Sequence, residues 1–127
     1  LYAWAAAPAS PIDAIGFTLT PWLGGGATLD ARAHTLDTWL GTYPTPKDHW
    51  LLETGGLPMV HGEESQARAI WGALAWATSR RPLKGAIIFE AGDYGTPIGL
   101  RAPGGRLRPA TAMVARAIKV LSENAGP

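Results

Sequence analysis

The stretch Asp48-His49-Trp50-Leu51-Leu52-Glu53-Thr54-Gly55-Gly56-Leu57-Pro58 decides how this chain is read. An apolar run, Trp50-Leu51-Leu52, ends in a carboxylate, and a Gly-Gly turn and a proline follow at once. A run that is so short and so closely bounded reads as a buried strand and not as a helix. Glu53 then stands where strand gives way to loop. In α/β folds the carboxyl end of a buried parallel strand is the usual position for a catalytic group. A carboxylate there can also cap the helix that follows, or pair with a nearby arginine. On the stretch alone both readings stand.

Working outward, the same kind of strand recurs on either side. Residues 12–19 (Ile-Asp-Ala-Ile-Gly-Phe-Thr-Leu) and 84–90 (Lys-Gly-Ala-Ile-Ile-Phe-Glu) are β-rich and nearly all apolar, as expected of strands covered on both faces. Helical spacing fills the intervals. Residues 1–7 read as the last turns of a helix, ended by Pro8 and Pro11. Thr28 is a plausible N-cap for a helix whose inward face is Leu29, Ala33, Leu36, Trp39 or Leu40, and Tyr43. A second helix begins near Gly62, with Ala67, Ile70, Trp71, Leu74, Ala75 and Thr78 inward and Pro82 as its stop. A loop over 91–108 leads to Pro109 and a last helix with Ala112, Ala115, Ile118 and Leu121 inward. The strand-helix unit repeats about every three dozen residues, which predicts a parallel sheet with right-handed crossovers. A (β/α)8 barrel needs eight such units and roughly 250 residues. The expected architecture is therefore α/β: the C-terminal portion of a (β/α)8 TIM barrel, about strands six to eight with their helices, as one partial domain over residues 1–127.

Composition narrows the function classes. Eleven basic and ten acidic side chains leave a net charge of +1, which offers no footprint for nucleic acid. No apolar run approaches the ~18 residues of a membrane span. Without cysteine there are neither disulfides nor thiolate metal sites. Six tryptophans fit a core, and they also fit a site that stacks on the flat faces of sugars. The chain begins with Leu, as a processed chain or part of a longer one would. Three strands alone would leave both sheet edges open, so the expected partners are the missing barrel half or other copies through those edges.

Polar and aromatic residues gather on one rim. Thr18, Thr20, Pro21 and Trp22 follow the first strand; Glu53, Thr54 and His61 the second; Glu90, Asp93, Tyr94 and Arg101 the third. The opposite rim, 42–47 and 79–82, holds mostly prolines and basic residues. Barrel enzymes keep their sites on the carboxyl-end rim.

Three motifs in order resemble the clan A glycoside hydrolases, especially the endo-mannanase and cellulase, endo-1,3-glucanase and endo-galactanase families. Ile12-Asp13-Ala14-Ile15-Gly16-Phe17 leading to Pro21-Trp22 is similar to their sixth strand, D-x-I-G-hydrophobic ending in Y-P. Glu53-Thr54-Gly55-Gly56-Leu57-Pro58, with Gly62 and Gln66 beyond, resembles their E-T-G-x-P seventh strand and its helix. The run from Gly99 through Arg101, Gly105 and Arg108 to Pro109-Ala110 resembles the G-L-x-D-x-D-G-x-x-K-P-A approach to the last helix. The resemblance implies a retaining glycosidase acting on a β-linked polysaccharide or oligosaccharide, with Glu53 as nucleophile, no cofactor, and a secreted or periplasmic location. Such an enzyme needs a second carboxylic acid ~5–5.5 Å away. In these families it ends the fourth strand, outside this chain, so the isolated fragment is expected to be inactive.

Trp22, His61, Glu90, Asp93 and Tyr94 are the candidate substrate-binding residues. Each has a structural alternative: Trp22 as core, Glu90 as a structural group or a second catalytic acid, and Asp93-Tyr94 as a self-held turn. His61 with Glu63 and Glu64 matches no metal-ligand spacing, so no metal site is expected. Thr20 stands where the families carry a tyrosine that hydrogen-bonds the nucleophile. With Glu90 it favours the alternative reading, a non-catalytic carbohydrate-binding or scaffold barrel. An aldolase or metal hydrolase would need a lysine or a His/Asp set at strand ends. Lys84 opens its strand on the wrong rim, and the three histidines do not cluster.

Overall fold

The computed structural model describes residues 1–20, 29–79, 83–93 and 95–124, with side chains as far as residue 120. Three strands, β1 (Ala14–Leu19), β2 (Asp48–Thr54) and β3 (Leu83–Ile88), pair in parallel in the order β1-β2-β3. Before and between them run α1 (Tyr2–Ala6), α2 (Leu29–Thr42), the short α3 (Pro58–His61) and α4 (Glu63–Thr78); α5 (Pro109–Asn124) closes the chain. The chain is thus a mixed α/β unit with a three-stranded parallel sheet. Two of the strand starts lie within a residue of expectation, and β1 starts two residues late.

Among the described residues the sheet is covered on one face only, which corrects the expectation of strands buried on both. Ile15, Phe17, Leu19 and Leu51 enter a core with Ala6, Leu36, Ala73, Trp76 and Ala77. A second cluster joins α4 to α5 through Ala67, Ile70, Leu74, Ala110 and Ala117, with Ala86 and Ile88 packed against it. The intervening residues emerge on the other side: Trp50 is 38 % exposed, Leu52 50 % and Ile87 52 %. Alternation along a strand sends neighbours to opposite faces. The helices of these units cover one of those faces and leave the other bare. On it Leu52 leans across Gly16, and Trp50 lies over Gly85, where an added Cβ would meet its ring at 2.6 Å. The glycines make room for large apolar side chains on a face that nothing among the described residues covers.

Two helix faces also differ from expectation. In α5 the buried stripe is Ala110, Met113, Val114 and Ala117, while Ala112, Ala115 and Ile118 face outward. Both stripes recur about once per helical turn, and contact with Ala67, Ile70 and Leu74 of α4 selects the first. In α4, Trp71, Ala75 and Thr78 are exposed, whereas Ala73, Trp76 and Ala77 are buried. Trp76 turns inward because its indole N–H reaches Asp37 Oδ1 of α2 at 2.9 Å. The α2 face is as expected: Leu36 is buried in the core and Leu29, Ala33 and Leu40 pack against it, while Trp39 and, just past the helix, Tyr43 pack around Tyr2 of α1, at ring distances of 5.9 and 6.1 Å. Thr28 and Pro82, read as cap and stop, lie outside the described residues.

Candidate active site

Glu53 is the next-to-last residue of β2, the central strand. Its ladder partner on β1 is Thr18, just past a register shift between Phe17 and Thr18. The strand ends are pinned beside it. Thr54 is buried and its hydroxyl donates to Leu19 O at 3.0 Å, while Phe89 N–H donates to Thr54 O at 2.7 Å. Glu53 is half-buried, and among the described residues no hydrogen bond or ion pair engages its carboxylate. Among the described residues it neither caps α4 nor meets an arginine: the cap position of α4 is Gly62, at φ 83°, and the acids of its first turn are Glu63 and Glu64.

Glu90 lies two residues beyond the end of β3, after a cis Phe89–Glu90 peptide. Thr54 pairs with Ile88, so Glu90 stands further along the sheet than Glu53 and not beside it. Its carbonyl accepts from Leu100 N–H at 2.9 Å, where the loop folds back on itself. His61 ends α3 and is exposed, next to exposed Met59 and Val60. Trp22 and Tyr94 lie outside the described residues. Thr20, at the end of β1, is fully buried, and its hydroxyl has no partner among the described residues.

The densest chemistry on this rim belongs to residues that sequence reasoning did not bring together. Arg108, 5 % exposed, meets Asp93, 9 % exposed, through a two-pronged contact: Nη1 to Oδ1 at 2.7 Å and Nη2 to Oδ2 at 2.9 Å. Its Nε reaches Glu63 Oε1 at 3.3 Å, and Nη1 also donates to Gly99 O at 2.6 Å. Arg106 pairs with the same Glu63 from the solvent side. Gln66, buried in the second turn of α4, donates to Ile98 O at 2.7 Å and Gly99 O at 3.1 Å. Its Oε1 has no partner among the described residues. The Arg108 guanidinium holds the Asp93 carboxyl below the usual carboxylate range, against the upward push of burial, and the Gly99 N–H helps. Arg106, then Arg108, do the same for Glu63, and Asp93 in turn raises Arg108. Asp93 thus serves its own loop with both oxygens.

Gly56 seals the two rim loops together, since an added Cβ there would come within 2.7 Å of Gln66 Cα. The sequence carried Arg108 and Gln66 inside motifs, but their partners lie 9 to 45 residues away, beyond what local pattern reports. Among the described residues no group of three or more His, Asp or Glu is placed to hold a metal. None of the helices is long and apolar enough to cross a membrane, among the same residues.

No family model matches this chain, and no curated protein matches it. Solved structures do. A GH2 beta-galacturonidase from Eisenbergiella tayi, bound to glycerol, superposes with a TM-score of 0.67 at 17% identity over 85% of this chain. A Faecalibacterium prausnitzii beta-glucuronidase superposes with a TM-score of 0.64 at 19% identity over 86%. The match spans 24% and 22% of those chains, about a quarter of each. Both neighbours are glycoside hydrolases, and at this identity the likeness is one of fold.

Proposed function

We propose that this chain is the last three βα units of a clan A (β/α)8 barrel, a retaining glycoside hydrolase that cleaves a β-linked polysaccharide or oligosaccharide. The observation that carries the proposal is Glu53 at the carboxyl end of the central parallel strand, unclaimed by any described side chain. The fold likeness to two glycosidases supports it, and so does a sheet with one bare apolar face. Five further strands would cover that face as the interior of a barrel.

In this reading Glu53 attacks the anomeric carbon. A carboxylic acid from a strand outside this chain, ~5–5.5 Å away, protonates the leaving oxygen and later deprotonates water. Trp22 and Tyr94 offer stacking faces, and His61 and Glu90, from the segments after β2 and β3, hydrogen-bond sugar hydroxyls. Asp93 contributes by holding its own loop through Gly99 and Arg108. The chain by itself, without the acid, does not turn over.

The test uses the protein expressed from its full reading frame. A 2-deoxy-2-fluoro β-glycoside should leave a glycosyl label on the peptide containing Glu53, and Glu53→Gln should lower kcat about a thousandfold or more. A label on another residue, or turnover that survives Glu53→Gln, removes the assignment. One observation favours a second reading, a carbohydrate-binding barrel without catalysis. Thr20 is fully buried at the position where the resemblance expects a tyrosine bonded to the nucleophile. Oligosaccharide binding by calorimetry, with no label and no hydrolysis, would select that reading.

A further inference from the structure

Gly99 lies where the loops after β2 and β3 meet, and both polar groups of its backbone are held by side chains. Its carbonyl accepts from Arg108 Nη1 and from Gln66 Nε2, and its N–H donates to Asp93 Oδ1 at 2.8 Å. The three side chains come from three places: the approach to α5, the second turn of α4, and the loop after β3. Nothing larger than glycine fits, because an added Cβ would overlap the Gly92 backbone. Gln66 is the link to the other loop, its Cα against Gly56, three residues after Glu53.

Arg108 is suited to this task in a way that lysine is not. A nearly buried guanidinium is tolerated only when its N–H groups are satisfied, and its planar fork can serve several acceptors at fixed angles. Here Nε, Nη1 and Nη2 reach Glu63, Gly99 and Asp93, so one side chain ties α4 to both ends of the loop. The returning strand of that loop carries the bonds Leu100 N–H to Glu90 O and Arg101 N–H to Ala91 O, the latter at 3.1 Å. Fixing Gly99 therefore fixes Glu90.

We propose that Arg108 and Gln66 form a clamp that locks the loop bearing Glu90 against the loop that follows Glu53, with Arg108 a positioning residue for the site between them. Its effect on turnover rests on the glycosidase reading; the clamp itself does not. A displacement of about 1 Å in a catalytic constellation costs on the order of a hundredfold in rate.

The experiment compares Arg108→Met, Arg108→Lys and Gln66→Leu in the protein from its full reading frame, with Arg116→Met on the exposed side of α5 as control. Hydrogen exchange by mass spectrometry should show peptides over 91–102 exchanging about tenfold faster or more in all three clamp variants, with β1 and β2 unchanged. On a panel of 4-nitrophenyl β-glycosides, kcat should fall about a hundredfold with KM within about threefold. Arg108→Lys should not rescue, since an ammonium cannot reproduce the fork, and Arg116→Met should change neither readout. Loop peptides that exchange as in the parent, or loop and sheet that speed up together, overturn the clamp. A released loop with kcat intact overturns the positioning role. If the parent cleaves no β-glycoside, the glycosidase reading fails and the exchange pattern alone decides the clamp.

Discussion

Leu51 and Leu52 are neighbours in β2 and live in different environments. Leu51 is 0 % exposed among Phe17, Trp76 and their neighbours, and Leu52 lies half-exposed over Gly16 on the bare face. The two faces of this sheet are alike in composition and unlike in energetics. The covered face derives its stability from helices carried by the chain itself. The bare face has apolar surface of the kind that drives association, and its stabilisation depends on what covers it.

The largest expected effect is on the covered face. Leu51→Ala removes a fully buried side chain from the middle of the core, and the chain should lose about 2–5 kcal/mol by chemical denaturation. A loss below about 1 kcal/mol would mean that the helices do not pack on this face as described.

Next comes the corner where α1 closes the covered face. The Lys47 ammonium donates to Ala5 O, Ala7 O and Ser10 O at 2.8, 3.1 and 3.2 Å, and so serves main-chain acceptors that the short helix leaves open. Lys47→Met should cost about 1–3 kcal/mol, as hydrogen bonds to a charged group usually do. Amide exchange should rise over residues 1–10 and not in β3. If exchange rises evenly across the chain, the corner is not a separate latch but part of the core.

How far these features were legible in the sequence follows the range of the interactions. The strands, α2 and α5 follow from local periodicity and punctuation, and Glu53 at a strand end is local too. The α5 stripe differs from the expected one because Ala112, Ala115 and Ile118 recur about once per helical turn just as Ala110, Met113 and Ala117 do, and only contact with α4 distinguishes them. The bare face was misread because Trp50, Leu52 and Ile87 are what buried strands contain, and composition does not reveal whether a second layer is present. The Arg108 clamp was out of reach for a third reason. Its acceptors belong to α4 and to a loop whose shape exists only once the sheet has formed.

Leu52→Ala tests the other half of the comparison. In the 127-residue chain the loss should stay below about 1 kcal/mol, since a half-exposed side chain forfeits little contact. In the protein from its full reading frame, a barrel interior would raise the same substitution to about 2 kcal/mol or more. Equal losses in the two settings would show that nothing further packs on this face, and would count against the barrel.

The smallest effect expected is a pH dependence confined to the covered face. His49 is buried between the rings of Tyr2 and Phe17, at 6.1 and 5.5 Å, with Nε2 3.0 Å from the Tyr2 hydroxyl. Burial pushes the imidazole below its ordinary value of 6.5; the Lys47 carbonyl and the Asp48 charge pull the other way with less effect. The unfolded chain therefore takes up a proton that the folded chain resists. The contribution is complete above about pH 6.5 and declines as pH falls toward the folded value. It is separate from the Asp93 and Glu63 pairs, whose lowered carboxyls lose their contribution at more acid pH, as it falls through the ordinary carboxylate range toward the folded values. Thermal unfolding at about pH 7.5 and about pH 5.5 should show a lower Tm in acid for the parent, and a smaller difference for His49→Asn. The same difference in both proteins would place the titration elsewhere, and the covered face would then owe its stability to apolar packing and the Lys47 corner alone.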